Sequence, residues 1–167
     1  MNSPFANLFL AIQDKLKNNL TSVVYIDQDL GQLKNARPAV SWPCVLIDFE
    51  DFEFTNLSEN VQVATGTVVI RLAFPAHSPS AQATPSTYTQ KALGYYDIEW
   101  DLHKLLQGWN PGSAFGKLCR TAVTTLKRTD NIRVREQRYS IAFEDYSTKI
   151  TQQYAAATLV VQEQLDI

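Results

Sequence analysis

"CVLIDFEDFEF" (residues 44–54) and "NVQVATGTVVIRLAF" (residues 60–74) are the two stretches that decide the fold of this chain. Apolar and polar residues alternate along the first and the second is rich in valine, so each predicts a β-strand. The polar segment between them predicts that the two strands form an antiparallel hairpin. The alternation changes phase at Glu50 and Asp51, which indicates a β-bulge or a turn of the strand at that point.

An amphipathic helix is expected on the amino-terminal side of this hairpin, over residues 4–18. Ser3 and Pro4 supply a cap and a first-turn proline at its start. A short strand is expected to follow at "SVVYID", residues 22–27. The apolar stripe of the helix consists of Phe5, Leu8, Phe9, Ile12 and Leu16.

Two proline-bearing segments separate these elements from their neighbours. Residues 28–43 contain Gly31, Pro38 and Pro43, a composition typical of an extended arm rather than a packed element. Residues 75–87, "PAHSPSAQATPST", hold three prolines, three serines and no charge except on His77. Loops of this length are usually functional or disordered, and both segments are suited to reaching a neighbouring subunit.

The remaining elements are expected to be a helix over residues 87–106 and three more strands. The strand stretches are "RTAVTTLKR", "IRVREQRYSIAFEDY" and "YAAATLVVQEQL" (residues 154–165). Runs of strands without regular strand–helix alternation predict an α+β fold. We expect a single domain, 1–167, with a largely antiparallel mixed sheet of about five strands and two helices packed on one face.

The overall composition excludes several classes of protein. With 45% hydrophobic and 19% charged residues, the chain is expected to fold rather than remain disordered. No apolar run approaches the length of a membrane span, and the amino terminus lacks the basic region and cleavage site of a signal peptide. Cys44 and Cys119 lie far apart and match no metal spacing, so we expect two buried, reduced thiols in a cytosolic protein.

The segment "YYDIEWDLHKLLQGWN" (residues 95–110) contains the groups that most resemble an active site. Four residues at alternate positions could bind a metal or move protons: Asp97, Glu99, Asp101 and His103. On a helix, Asp97 and Asp101 share one face. Glu99 and His103 share another, about 160° away. A four-ligand metal site would therefore need a second element, and the sequence indicates none.

The apolar residues of the same segment favour a structural helix. They follow a continuous helical stripe that suits docking on a sheet and leaves the acids on other faces: Tyr95, Ile98, Leu102, Leu105 and Trp109. The nucleophile elbow, the P-loop and the dinucleotide-binding glycine pattern are all absent from the sequence. We therefore expect no enzyme activity, no cofactor and no metal. A small metal-dependent hydrolase built on Glu99 and His103 remains the weakest alternative.

Charge is distributed unevenly along the chain. The net charge is −2, yet residues 117–138 hold seven basic side chains against Asp130 and Glu136. Such polarity often reflects contact with a neighbouring subunit or a polyanion, although a solvated strand pair with alternating charges explains it equally simply. The basic residues are Lys117, Arg120, Lys127, Arg128, Arg133, Arg135 and Arg138.

Sequence-specific binding of nucleic acid is not indicated. Arg133 and Arg135 alternate onto one strand face with Tyr139, but an RNA-binding sheet would interleave more aromatic residues with its basic ones. The sequence pI is near 5.6. Passive lining of a channel through which DNA passes, by phosphate contacts alone, stays open.

The layout of the chain resembles the tail terminator and tail-completion proteins of tailed phages, with their counterparts in prophages and contractile injection systems. The resemblance covers most of the chain and follows from size, element order and three local pieces. The first piece is the proline-led strand "WPCVLI". The second is formed by Trp100, Leu102, Leu106 and Asn110. The third is a closing strand with Tyr139, Ile141, Phe143 and Asp145.

The resemblance implies a structural virion protein without catalysis or cofactor. Members of this family form a ring, typically a hexamer, that caps the end of the tail tube and joins it to the head. It implies as partners further copies of the chain, the tail tube protein and head or neck connector proteins. The location implied is the cytoplasm of the bacterial host during assembly, and then the virion tail. A head-completion or neck connector protein is the alternative within the same structural class.

A ring requires two different, complementary patches on each subunit. The sequence suggests that an acidic helix face meets basic strands of the neighbouring copy, and charge reversal at Arg133 and Arg135 should then weaken assembly. The acidic candidates are Asp97, Glu99 and Asp101. The basic candidates are Lys127, Arg128, Arg133, Arg135 and Arg138.

Overall fold

The predicted hairpin forms the centre of a five-stranded sheet. The computed structural model describes residues 3–35, 37–75 and 79–148. The helices are α1 (Pro4–Asn19), α2 (Ser86–Leu93) and α3 (Tyr95–Leu106), and a short 3-10 turn lies at Gln32–Lys34. The strands are β1 (Tyr25–Gln28), β2 (Cys44–Ser58), β3 (Val61–Pro75), β4 (Cys119–Leu126) and β5 (Ile132–Asp145).

The sheet is mixed but mostly antiparallel, as predicted. Its strand order is β1-β2-β3-β5-β4. Among the described strands, the β1–β2 pair is parallel and the other three pairs are antiparallel. Helices α1 and α3 both contribute fully buried side chains to one hydrophobic core on the same face of the sheet. These side chains are Leu8, Ile12 and Leu16 of α1, and Leu102 and Leu106 of α3. The predicted α+β class is therefore confirmed.

The single helix predicted over residues 87–106 is in fact two helices that meet at Gly94. Helix α2 buries none of its residues, whereas α3 buries four. Because α2 has no apolar stripe tied to the sheet, nothing requires it to share the axis of α3. Glycine weakens a helix interior by about 1 kcal/mol, which makes Gly94 the natural place for the break.

The phase change in β2 is a bulge, as predicted. The β2–β3 register shifts between Glu50 and Glu53, and Asp51 has a positive φ of 56°. The extra residue places the Phe52 ring directly over Gly66 of β3, where an added Cβ would lie 2.4 Å from Phe52 Cγ. Phe52 also packs edge-on against Phe5 of α1, with ring centroids 4.9 Å apart. The bulge therefore turns Phe52 toward the core.

Replacing Gly66 by alanine is expected to lower the free energy of unfolding by about 1–3 kcal/mol, the usual cost of overpacking a core. Phe52 cannot yield easily because it is held between neighbouring rings. Gly112→Ala is the matched control, since its added Cβ would meet no atom closer than 3.7 Å. Urea denaturation would measure both variants. Equal stability of the two would contradict the Phe52–Gly66 contact.

Residues 28–43 do not form the free arm that the sequence predicted. Leu33 is buried in a second, smaller cluster on the sheet face opposite the helices, with Val40 and Trp42 packed against it. This face needs a cover because Cys44–Ile47 are all buried, so both sides of that part of β2 are apolar. The continuous apolar run at the start of β2 was the signal for a strand covered on two faces.

Two of the predicted features are only partly described or lie outside the described residues. The strand expected at residues 154–165 lies outside them, as does His77. Of the loop expected at 75–87, residues 79–85 are described and α2 already begins at Ser86. Within the described part of the chain, no helix has the length and apolar character needed to cross a membrane.

The two cysteines differ in environment, which corrects the expectation that both are buried. Both thiols are free, with Cys44 buried and Cys119 exposed. Burial raises the pKa of Cys44 to about 12, and this outweighs a backbone hydrogen bond that lowers it. Cys44 belongs to the small cluster beneath residues 33–42, whereas Cys119 begins an edge strand.

We expect an aromatic disulfide reagent at pH about 8 to titrate one thiol per folded chain, because the reactive species is the thiolate. That thiol is Cys119, so Cys119→Ser should abolish the fast reaction, while denatured wild-type protein should titrate two thiols. Absorbance of the released thiolate gives the count. Fast reaction of both thiols in the folded protein would contradict the burial of Cys44.

Candidate interaction surface

The four polar residues between positions 97 and 103 lie on different faces of helix α3. One of them, Glu99, does not lie on the solvent-facing side that the sequence suggested. Asp97 and Asp101 are exposed, and Asp101 pairs with Lys104 of the same helix, at 3.0 Å. Glu99 is 8% exposed and points toward the sheet rather than toward solvent. The predicted acidic face of α3 therefore loses one of its three members.

Glu99 forms a two-pronged ion pair with Arg135 of β5. Arg135 donates from Nε to Glu99 Oε2 at 2.6 Å and from Nη2 to Glu99 Oε1 at 2.9 Å. This geometry uses both carboxylate oxygens, and the paired group is the reason that a carboxylate can lie beneath the helix. The hydrogen bond with Glu99 raises the pKa of Arg135 above its ordinary value, against the effect of burial. Arg135 and Glu99 join α3 to the sheet.

A polar chain continues from this pair along β5. Tyr139 donates to Gln137 Oε1 at 2.8 Å, and the Gln137 amide donates to the Glu99 carbonyl at 3.4 Å. Gln137 and Tyr139 are both fully buried. His103 approaches the Tyr139 hydroxyl at 3.4 Å, and burial lowers the pKa of His103, with Arg120 adding to the effect. The buried side of α3 is thus held by a hydrogen-bonded network as well as by apolar contacts.

The apolar stripe predicted for this helix is present. Tyr95 and Leu102 are buried, and Ile98, Leu105 and Trp109 pack partly buried against the core. Leu106, which the predicted stripe omitted, is fully buried. Burial at two successive positions, 105 and 106, means that the contact face is wider than one stripe, which leaves room for Glu99 within it.

The basic residues of β4, β5 and their turn are mostly engaged within the subunit. Arg128 pairs with Asp130 and donates to the Leu33 carbonyl. Arg133 lies over the Tyr95 ring at 4.8 Å, where its Nε has no hydrogen-bond partner among the described residues. Lys127 is exposed. Arg128, Arg135 and Arg138 are therefore paired with carboxylates inside the fold, whereas no ion pair joins Lys127 or Arg133 among the described residues.

Arg71 is the centre of a cluster of ion pairs that the sequence did not predict. It lies on the sheet face opposite the helices and donates to four carboxylates. The distances are 2.6 Å to Asp29, 3.5 Å to Asp48, 2.9 Å to Glu50 and 2.8 Å to Glu136. These hydrogen bonds raise the pKa of Arg71 although burial acts to lower it. An arginine in the middle of a valine-rich strand was the available signal.

Arg138 completes this charge network, which consists of Arg71, Arg138 and their acidic partners. Arg138 pairs with Glu50 at 2.8 Å, Asp51 at 3.1 Å and Glu136 at 3.3 Å. The predicted interface role of Arg138 therefore competes with three contacts inside the subunit. An open cavity of about 580 Å³ lies beside the network, between residues 29–34 and the end of β4. Because every carboxylate there already has an arginine partner, the network serves to join β2, β3 and β5 to the segment that follows β1.

A surface of a different kind lies at the outer edge of α3 and β4. Trp100 is 57% exposed, Tyr96 44% and Val123 36%. Together with Arg120 they surround a shallow groove of about 300 Å³, and we call these four residues the aromatic patch. Exposed tryptophan, tyrosine and arginine in one place are typical of protein–protein contacts.

The described residues do not assemble the metal site that the sequence left as its weakest alternative. Across residues 3–35, 37–75 and 79–148, no three His, Cys, Asp or Glu side chains could hold one metal ion. Glu99 commits both of its oxygens to Arg135, and His103 turns toward Tyr139. The two proposed ligands are therefore occupied by different partners.

Comparison with known proteins gives a structural match of low similarity. No family model matches the sequence, and no curated protein matches it significantly. Among 24 matching chains of solved structures is one from the virion of a native gene transfer agent particle. It has a TM-score of 0.49 and 13% identity, and the match covers 82% of this chain and 94% of that one. A likeness of this size carries no argument about function.

Proposed function

We propose that this chain is a structural subunit of a phage-like tail that forms a ring on the end of the tail tube and presents a surface for joining the head. The proposal starts from the sequence resemblance. All three pieces that carry it lie in regular elements of the fold: the "WPCVLI" piece leads into β2, the tryptophan–leucine piece is centred on α3, and the closing piece belongs to β5.

The single observation that carries the proposal is the exposure of Trp100. It is one of the residues on which the resemblance rests, yet 57% of it faces solvent. Folding of one subunit therefore does not explain a tryptophan at this position, because a largely exposed aromatic side chain contributes little apolar burial to the stability of the monomer. A contact with another subunit or another tail protein does explain it.

The charged interface suggested by the sequence remains part of the proposal in a reduced form. Glu99, Arg135, Arg138 and Arg128 each have partners inside the subunit. Asp97, Asp101 and Lys127 are exposed and stay accessible to a neighbouring copy, although Asp101 already pairs with Lys104 of its own helix. Reversal of charge at Arg135 would damage the fold itself, so Lys127 is the better position at which to probe assembly.

The test has two parts, and the first concerns assembly of the full chain. Light scattering after size exclusion and negative-stain electron microscopy are expected to show a closed ring that forms with rising concentration. Trp100→Ala should weaken the ring without lowering the stability of the subunit. Trp109→Ala is the control for an effect on stability, because Trp109 packs against the core. A chain that stays monomeric at every concentration, and also when mixed with its tail tubes, would contradict the proposal.

The second part separates a tail cap from a neck connector. Particles assembled without this chain are expected to carry tubes of uncontrolled length, because a cap ends tube growth. Tubes of normal length that fail to join heads would instead favour the head-completion alternative. Electron microscopy of particles from a deletion strain, with and without the gene restored, distinguishes the two outcomes.

A further inference from the structure

The two outer edges of the sheet differ in charge, and neither is fully paired among the described strands. Strand β4 lies at one end of the strand order and, among the described strands, pairs with β5 alone. At the other end, β1 pairs only with Cys44–Ile47 of β2, so residues 48–58 of β2 have no strand on their outer side within the described part of the chain. An unpaired strand edge presents a row of backbone donors and acceptors to any strand that approaches.

The β4 edge carries few of the features that normally prevent edge pairing. Its sequence, "CRTAVTTL", contains no proline and no lysine, and it is rich in residues that favour strands. Most of its side chains are exposed. The basic residues Lys117, Arg120 and Lys127 lie at or beside its ends.

The outer edge of β2 carries the opposite charge. Glu53 and Glu59 are exposed, and the side chain of Asp51 is 79% exposed although it contacts Arg138. The same hairpin exposes Phe54, which is 45% accessible and pairs across the ladder with Ala64 of β3. Ala64 in turn pairs with Phe143, a core residue, so Phe54 lies on the helix-bearing face of the sheet.

The aromatic patch lies on that same face at the opposite edge. Val123 of β4 pairs across the ladder with Gln137, which bonds to Glu99 of α3. Edge-to-edge contact between two copies would therefore bring Phe54 of one copy toward Val123, Tyr96 and Trp100 of the other. Apolar side chains would meet on one face while basic and acidic ends meet along the strands.

We propose that the β4 edge of one copy pairs with the outer edge of the β2 hairpin of the next copy, so that the sheet continues from subunit to subunit. This inference rests on the proposed function and names its subunit contact. Two different patches meet, so the contact is heterologous and generates a ring or an open chain rather than a two-fold dimer. Two β4 edges, both basic, repel one another.

The direction of the pairing follows from the sheet for a ring whose axis lies parallel to the strands. Three successive antiparallel pairings make β4 run opposite to β2 within one subunit. Rotation about a ring axis parallel to the strands leaves strand directions unchanged, so β4 and the neighbour's β2 would be antiparallel. Antiparallel pairing is the arrangement that a short edge strand makes most readily.

Cross-linking between variants that each carry one exposed cysteine tests the contact directly. Val123→Cys and Asn56→Cys, which lies on the same sheet face as Phe54, are each introduced with Cys119→Ser, which removes the exposed native thiol and leaves the buried Cys44. A short bismaleimide is expected to give covalent dimers when the two variants are mixed and only traces with either alone. The matched control mixes Val123→Cys with Thr21→Cys, an exposed position between α1 and β1, and should give no product.

Charge reversal tests the electrostatic part. Glu53→Lys on the Asn56→Cys partner is expected to slow cross-linking about threefold, within the range measured for exposed ion pairs. Asp14→Lys, on the exposed side of α1, makes the same change of net charge and should leave the rate unchanged. Equal slowing by both variants would contradict the role assigned to the acidic hairpin.

The outcomes separate this inference from the function on which it rests. Rings formed by the Cys119→Ser parent without any mixed cross-link would overturn the edge contact and leave the ring proposal standing. Dimers from Val123→Cys alone would also overturn it, because they indicate a two-fold contact. Mixed cross-links in a protein that never caps tail tubes would support the contact and contradict the proposed function. Absence of both rings and cross-links at the highest soluble concentration would overturn the contact.

Discussion

Arg71→Met is expected to lower the free energy of unfolding by about 3–5 kcal/mol, the range found when one member of a buried ion pair is removed. Methionine has similar volume but leaves Asp29 and Glu136, both largely buried, without their closest cation. The stability of Arg71→Lys should lie between those of wild type and Arg71→Met, because an ammonium group cannot reproduce the planar fork that reaches several carboxylates. Chemical denaturation of the full chain measures all three proteins.

Lys104→Met is the matched control for this change. Its pair with Asp101 is 57% exposed on both sides, so its loss should cost no more than about 0.5 kcal/mol. If Arg71→Met and Lys104→Met lower the free energy of unfolding by the same amount, the charge network contributes little to folding.

Acid should abolish part of the difference between wild type and Arg71→Met. Burial acts to raise the pKa of Glu50, but the hydrogen bonds from Arg138 and Arg71 outweigh it and hold the pKa below its ordinary value of 4.5. A depressed carboxyl pKa contributes stability above the unfolded-state pKa, and this contribution is lost as the pH falls through the folded-state pKa. The two stability curves should therefore converge below pH 4.5, which denaturation at several pH values would reveal.

Glu99→Leu is expected to cost about 3 kcal/mol because it leaves the Arg135 guanidinium partly buried and unpaired. The double variant Glu99→Leu with Arg135→Leu should recover much of that loss, since replacing both members of such a pair by apolar residues is often neutral. The Gln137 amide bonds to the backbone carbonyl of residue 99, so that hydrogen bond survives both changes.

The same pair of variants decides between two roles for Glu99. If the pair serves folding alone, the double variant should assemble like wild type in light scattering. If Glu99 instead meets a neighbouring subunit, as the sequence suggested, the double variant should fold but fail to assemble. Asp97→Asn is the matched control, because it removes an exposed acid from the same helix without touching a buried pair.

Most of the fold could be predicted because its signals are local. The alternation in β2, the phase change at Glu50 and the stripe of α1 each follow from the period of one element, and all are present in the structure. The break at Gly94 escaped prediction because helical spacing runs through it without interruption. The packing of residues 28–43 escaped because it depends on an apolar sheet face that no single segment reveals.

The ion pairs around Arg71 and Arg135 were less predictable than the fold, because they join residues far apart in the chain. Arg71 meets Asp29, which lies 42 residues away, and Glu136, which lies 65 residues away. Arg135 and Glu99 are separated by 36 residues. Reading charges along the sequence correctly located them on strands and on a helix, but the pairing of those charges depends on strand order.

By itself, the sequence determined the class of elements, their order, the antiparallel hairpin and the apolar faces, because side-chain periodicity specifies these locally. Only the tertiary structure decided which charged side chains remain exposed on the surface. The strand order β1-β2-β3-β5-β4 places Arg71 among carboxylates from β2 and β5, brings Arg135 beneath α3 and, among the described strands, leaves β4 and the part of β2 beyond β1 at the edges of the sheet. An ion pair requires proximity in space, and proximity between distant segments exists only once the sheet has formed.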